Sequence, residues 1–459
     1  MSNWRFNLTP IDVPKVETKY RKITTKLPVP ESLEILETLD HFEAKTMLGQ
    51  MPVVWDRAEG FQVHDAWGNT WIDFTSTIFV ANAGHGNPKI VNALREQLDK
   101  PLLHTYNFAS KIRADYLRYL IESTPPQFEK ACLFVAGTEA TEAALRLMRM
   151  HGWKIGKKQP GVIAFEGCFH GETLGARMMS YNPKAKEWIG YHDPHIYHLP
   201  FPYPWRMDAI ADPRAYFRSG MSKLIKQNQL NPKEDLCGFI LETYQGWGAA
   251  FYPEEFVHEL MDFAHENGML VAFDEMQSGF GRTGKLFGYM HYGVEPDLLC
   301  CGKGASSSMP LSMILGKQEI LDLPEFGEMY STHSANPLAC AAGLANLHEL
   351  MEGGLLENSR LLGDLFHSRL NLIKNHFPEQ IRCVLGKGLV AAVHFVDQDG
   401  RPLVDLCNRI CLEAMRRGLL VVHTGRESIK LAPPLCINEE ALMEGLDALE
   451  QAIAECIGK

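Results

Sequence analysis

Long apolar runs, positive charge and paired cysteines are all scarce in this chain of 459 residues. No apolar run approaches the roughly 20 residues that a helix needs to cross a bilayer, so no membrane-spanning helix is expected. Lys and Arg number 45 against 56 Asp and Glu, a formal net charge of -11. That balance argues against a nucleic-acid partner, because affinity for a phosphate backbone comes from clustered cations that release counterions. The eleven cysteines are odd in number and scattered through apolar contexts such as Cys132, Cys237 and Cys340. They read as reduced, buried thiols rather than a disulfide framework. Cys407 and Cys411 can share one helical face, but no second ligand pair of matching spacing accompanies them, so no metal site is expected. Residues 1–23 lack the apolar core of a signal peptide, and the default is a soluble, cytoplasmic protein. No internal repeat or low-complexity tract is visible.

With 46% hydrophobic and 22% charged residues, the chain can bury a large core, and one large domain plus a smaller one is expected. The stretch from 270 to 284 organises the reading. It opens as a short apolar run ending in Asp274, the pattern of a buried parallel strand with an acid at its carboxyl end, and continues into a glycine-punctuated turn. A carboxylate there is costly unless a cation or strong donors meet it. The next apolar run, 296–301, ends in Gly302-Lys303-Gly304, which suits a lysine bonded to something bulky. An acid at one strand end and a lysine at the next is what pyridoxal phosphate chemistry asks for: the lysine holds the cofactor aldehyde as a Schiff base, and the acid keeps the ring nitrogen protonated. A turn-capping Asp274 and a surface Lys303 explain the same two residues taken alone.

Along the chain, residues up to about 43 carry Pro10, Pro14, Pro28 and Pro30 and read as an extended arm, one that can lie on a partner subunit. Trp67-Gly68-Asn69 reads as a hairpin turn between strands at 61–63 and 71–74. Asn87 caps a helix over 89–99, with Pro88 in its first turn. Strands at 131–135, 162–165, 238–241, 270–273 and 298–301 alternate with turns or helices, the first of them leading through Gly137-Thr138 to a helix over 140–150. That alternation predicts an α/β fold, a mainly parallel sheet covered by helices, with ligands at the strands' carboxyl ends. After 345 a long amphipathic helix to about 376 is expected. Strands near 384 and at 389–395, a helix over 403–417, a strand at 419–423 and a last helix over 439–456 then make a smaller α+β domain. The boundaries expected are 1–74 for the arm and a small-domain segment, 75–345 for the large cofactor-binding domain, and 346–459 for the C-terminal domain.

Gly137-Thr138 at a helix start offers phosphate free backbone NH groups and a hydroxyl, and Phe169-His170-Gly171 can lay an aromatic face on a flat ring, although core packing explains a lone Phe equally well. The joint order is more specific. Those two motifs, then Glu242, Asp274 with Gln277, Gly279-Phe280-Gly281-Arg282-Thr283-Gly284, Lys303 and Ser331-Thr332-His333-Ser334-Ala335-Asn336-Pro337 together resemble the class III aminotransferases, pyridoxal-phosphate enzymes of fold type I. The resemblance runs from about Pro52 to the carboxyl end. It implies that Lys303 carries the cofactor and then moves protons, that Asp274 pairs with the pyridine nitrogen, and that Gln277 lies near the ring hydroxyl. It implies further that Phe169 stacks on the ring, that Gly137 and Thr138 bind the phosphate, and that Glu242 is a polar neighbour. Thr332 would reach the phosphate held by the other subunit of a homodimer with shared active sites. His170, although beside the cofactor in the family's pattern, is given turn or ion-pair duties first, with Arg282 and Asn336. The partners implied are a small-molecule amine and an oxo acid or aldehyde.

Three positions depart from the amino-acid-handling members. Glu172 follows Phe-His-Gly where many relatives carry arginine, Trp247 follows Gln245-Gly246 where ornithine-type relatives carry glutamate, and Lys430 replaces the arginine before Leu431-Ala432-Pro433-Pro434-Leu435, so a bidentate carboxylate fork is lost or weakened. Glu172 would repel a carboxylate and favour a cationic or hydroxyl-rich group, and Trp247 offers a flat wall. These point to an amine donor such as an amino sugar, an aminoglycoside or a polyamine. If Glu172 instead turns to Lys430 or Arg177, an ω-amino acid is the donor. An aminomutase or racemase on the same scaffold remains an alternative.

Overall fold

The computed structural model of the chain describes residues 5–47, 49–207 and 212–458. A seven-stranded sheet runs in the order Lys130–Phe134, Ser312–Gly316, Leu298–Cys301, Leu270–Asp274, Leu236–Glu242, Gly161–Phe165, Ile196–Leu199. Four of its pairings are parallel, and Ser312–Gly316 is antiparallel to both neighbours. Successive side chains of a strand point to opposite faces. Val271 and Phe273 therefore join one apolar cluster with Phe217, Phe256 and Leu260. Leu270 and Ala272 join another with Ala140, Ala144 and Leu147 of the helix Gly137–Lys154. Burial on both faces explains why the strand reads as a continuous apolar run rather than an alternating one.

The second sheet draws its strands from both ends of the chain. Thr70–Phe74 pairs in parallel with Leu419–His423, Ile72 opposite Leu419, and the sheet continues through Ser428–Leu431 and Val390–Phe395 to Ile381–Lys387. The hairpin expected around Gly68 is present, with Val63 opposite Trp71. Asn87 caps the helix Pro88–Leu98 by accepting from the amides of Lys89 and Ile90.

Some expectations need correction. The early arm is not wholly extended, because Leu33–Phe42 is a helix, with no buried residue and with Ile35, Leu39 and Phe42 exposed. The long helix read after 345 is the end of Pro337–Met351 followed by Leu355–His376, separated where Gly354 takes a φ of +79° that a helix cannot continue through. Ser428–Leu431, of which only Lys430 and Leu431 were read, and those as part of a motif, is a buried strand. Among the described residues no helix is long and apolar enough to cross a membrane. All eleven cysteines carry free thiols.

Candidate active site

The register of the large sheet sets Asp274 opposite Glu242 on one side and Cys300 on the other, so three strand ends open at one level. Lys303 follows two residues beyond Cys301, with a φ of +42°. That left-handed conformation is uncommon for a residue with a side chain and is the kind of local strain that functional sites hold.

A cavity of about 250 Å³ lies at these strand ends. Asp274, Lys303, Gln277 and Glu242 line it from the strand side, and Gly137, Thr138, Phe169, His170 and Glu172 line it from the helix and loop side. Asp274 is held at both oxygens: Oδ2 faces His170 Nδ1 at 2.8 Å, and Oδ1 accepts from the Met276 amide at 3.0 Å. Burial alone would push the His170 imidazole down, but Cys168 and the Asp274 carboxylate outweigh it, and its pKa lies well above the ordinary value. Burial lowers the Lys303 amine, with Asp274 and Glu242 opposing. Glu242 accepts from the amides of Gly246 (3.1 Å) and Phe169 (3.3 Å), and burial pushes its carboxyl up to about 7.

At the other rim the amides of Gly137 and Thr138 open the helix Gly137–Lys154 and donate to no group among the described residues. Glu139 closes the turn behind them by accepting from Val135 and Ala136. A Cβ at 137 would stand 2.7 Å from the Met276 sulfur, so that side chain would have to shift. Glycine is required at 171, where φ is +142° and a Cβ would collide with the Thr138 hydroxyl. Free amides and a hydroxyl at a helix start, a half-exposed aromatic ring, a carboxylate and an amine around one small cavity fit pyridoxal phosphate in size and in chemistry. Gly137 and Thr138 would take its phosphate, Phe169 its ring face, Asp274 its ring nitrogen and Lys303 its aldehyde.

A second cavity of about 800 Å³ adjoins the first, with Phe169, Glu242 and Gln277 among the residues that line both. Trp247 and Lys430 line it, but neither stands as the sequence suggested. The face of Trp247 is covered by the Arg426 guanidinium, 3.7 Å from the ring centroid. Lys430 donates to Gly246 O at 2.7 Å and to Gln277 Oε1 at 2.9 Å, and burial, with the charge of Lys303, takes its amine down to about 7. Glu172 is ion-paired with Arg177, its side chain 60% exposed. Thr332 is exposed and lines neither cavity; its carbonyl faces His104 Nε2 at 3.0 Å. Asn336 caps the helix Pro337–Met351. Sequence reasoning missed Tyr244, Met276 and Ser278, which line the small cavity. The latter two directly follow Asp274-Glu275 and flank Gln277, a proximity that was available as a signal.

The family described as Aminotransferase class-III matches residues 44–453. The chain is 30% identical to the alanine/serine racemase of Pyrococcus horikoshii, over 98% of this chain and 96% of that one. It is 31% identical to the 4-aminobutyrate aminotransferase of Mycobacterium leprae, over 95% and 98%. Among solved structures, a thermostable (S)-enantioselective omega-transaminase from Thermomicrobium roseum superposes with a TM-score of 0.84 at 25% identity, covering 93% of this chain and 99% of that one.

Proposed function

The chain belongs to the class III aminotransferases, pyridoxal-phosphate-dependent enzymes of fold type I, and from that premise we propose how its residues divide the work. When bound, pyridoxal phosphate supplies an electron sink for the charge left as a proton leaves the carbon next to the amine. Lys303 Nζ moves that proton, and the lowering of its pKa by burial raises the share of free amine available as a base at neutral pH. Asp274 presents a carboxylate whose direction is set by His170 and the Met276 amide, and Gly137 and Thr138 anchor the phosphate end. The observation that carries these assignments is the meeting of Lys303, Asp274 and the free helix-start amides around one cavity. We further propose a homodimer, in which Thr332, exposed and outside its own chain's cavity, completes the partner's site. Eleven free thiols fit a cytoplasmic setting. Domain limits near residues 74 and 345 fit a second sheet drawn from both ends of the chain.

For the donor, the pairing of Glu172 with Arg177 supports the second of the two sequence readings. A carboxylate already neutralised by a guanidinium repels an incoming carboxylate weakly, so the case for an amino sugar or polyamine loses its main support and an ω-amino acid is favoured. The similarity to a racemase keeps one alternative, a reaction that consumes no acceptor. Relative kcat/KM for 4-aminobutyrate, a diamine and an aminoglycoside, measured with 2-oxoglutarate consumption, tests both. Preference for the diamine or aminoglycoside overturns the donor reading, and turnover without stoichiometric loss of acceptor overturns transamination.

A further inference from the structure

The large cavity contains a feature that the roles above leave unused. Two aromatic rings on its wall, Tyr203 and Trp247, lie 5.9 Å apart, and each carries a guanidinium: Arg206 stands 5.2 Å from the Tyr203 centroid and Arg426 stands 3.7 Å from that of Trp247. Both rings are fixed from behind by one buried side chain. Gln245 Oε1 accepts from the Tyr203 hydroxyl and from Trp247 Nε1 (2.8 Å), while its Nε2 donates to Glu166 O at 2.6 Å. The fit requires glycine at 167, where φ is +81° and a Cβ would stand 2.7 Å from the Tyr203 hydroxyl. Ser428 donates to Trp247 O at 2.8 Å, so the second platform is pinned as well.

A guanidinium held near a ring face can keep in-plane N–H groups free for an acceptor such as a carboxylate. Neither arginine is saturated. Arg206 Nη1 donates to Glu166 at 3.3 Å and to Phe201 O at 3.4 Å, with Tyr216 as a further neighbour, and Arg426 touches Glu427 at 3.5 Å; these distances exceed the roughly 2.7–2.9 Å of a charge-assisted hydrogen bond. Their side chains are 44% and 43% exposed, and neither terminal nitrogen of Arg426 is hydrogen-bonded among the described residues. By contrast, Lys430 and Glu172, at positions where relatives carry arginine, are occupied within the protein.

We propose that Arg206 and Arg426 together form a specificity-determining receptor for a carboxylate remote from the reacting carbon, as in an ω-amino acid donor or a dicarboxylic oxo acid acceptor. The proposal rests on the aminotransferase reading of the same site. It adds what that reading does not give, the residues that select the substrate's far end. Stacking keeps the forks rigid, so less freedom is lost when they bind.

The test uses the holoenzyme and glutarate, a dicarboxylate that cannot react. Calorimetry should show glutarate binding to the wild type, weakened about 10- to 100-fold in Arg426→Gln and in Arg206→Gln, the range for losing hydrogen bonds to a charged group. In parallel, the ratio of kcat/KM for 5-aminopentanoate to that for pentylamine should fall by a similar factor, with KM carrying the change. Arg426→Lys should restore part of it, since charge returns without the fork. No glutarate binding to the wild type, or wild-type affinity retained in both glutamine variants, overturns the receptor. Failure of the wild type to turn over any amine would instead count against transamination, and the calorimetric comparison would still decide the receptor.

Discussion

Replacing Arg282 by methionine should destabilise the fold by about 3 kcal/mol and raise KM. The guanidinium is fully buried, yet no carboxylate pairs with it among the described residues. Nη1 donates to Leu389 O at 3.0 Å and to Pro433 O, and Nη2 to Ser76 Oγ at 3.1 Å and Asn82 Oδ1 at 2.7 Å. Burial lowers its pKa to about 10, which leaves it charged at neutral pH. One cation thus ties the glycine-rich turn after Asp274 to strands and turns from both ends of the chain. Among its acceptors is the start of an unusual element: Ser76, Thr77, Ile78 and Phe79 all have positive φ, from 47° to 69°. A left-handed turn costs about 1–2 kcal/mol per residue with a side chain, so it persists only because its surroundings hold it. Ser76 Oγ also donates to Ala432 O at 2.6 Å, and the Phe79 ring meets both Arg282, at 5.7 Å from its centroid, and Lys430, at 4.5 Å. Methionine would leave three acceptors that are not hydroxyls without a donor, at about 1–3 kcal/mol each. Relief from burying an unpaired cation offsets part of that, because such burial is itself expensive. About 3 kcal/mol remains, to be measured as the change in unfolding free energy from urea titration. Ile78 lines the large cavity, so loosening its turn should also weaken substrate binding. A variant within about 1 kcal/mol of wild type, with KM unchanged, would refute the clamp.

Asp274→Asn should reduce turnover by at least about 100-fold while near-native circular dichroism persists, because the amide keeps the shape but not the charge; near-wild-type turnover would contradict the assignment. Mixing Lys303→Ala subunits with subunits impaired at Thr332 should recover part of the activity lost by each alone, since one site of each heterodimer receives neither defect. A fully active monomer in sedimentation would exclude sharing. Lys430 should make stability depend on pH: its folded pKa, about 7 against 10.5 unfolded, means that between those values the unfolded chain binds the extra proton. Wild-type stability should therefore rise with pH from about 7 towards 10.5 relative to Lys430→Met, by on the order of 1 kcal/mol per unit, and parallel curves would show that the lysine does not titrate in that window.

What the sequence disclosed and what it withheld divide along a physical line. Asp274 and Lys303 were legible because a buried strand announces itself by an apolar run and its end by the residue that breaks it. The helix start at Gly137-Thr138 was legible for the same reason. Each of these is a local signal, written within a few neighbouring residues. The His170–Asp274 contact joins positions 104 apart, and His170 was given turn or ion-pair duties in general terms, without a partner. The capture of Glu172 by Arg177 was stated only as one of two options, because a residue in the loop before the helix Leu174–Met179 can meet or miss a residue on that helix with equal ease. The break at Gly353-Gly354 was overlooked, since the apolar period resumes on its far side and hides the interruption.

The wall of the large cavity was the least legible part, and the reason bears on substrate choice. Tyr203 and Arg206 come from a connection after the strand Ile196–Leu199, Gln245 and Trp247 from a connection after Leu236–Glu242, and Arg426 from the turn between Leu419–His423 and Ser428–Leu431. No period or cap marks such loop residues, because what fixes them is the meeting of distant segments: the Gln245 amide holds Tyr203 and Trp247, and Arg426 lies over the Trp247 ring. The residues proposed to handle the cofactor stand on or directly beside strand and helix ends, whose positions the core determines. Those available to the far end of a substrate stand on loops that the core leaves free to vary. A sequence can therefore disclose the shared chemistry of a family while withholding its substrate, and the receptor proposed for Arg206 and Arg426 lies on such loops.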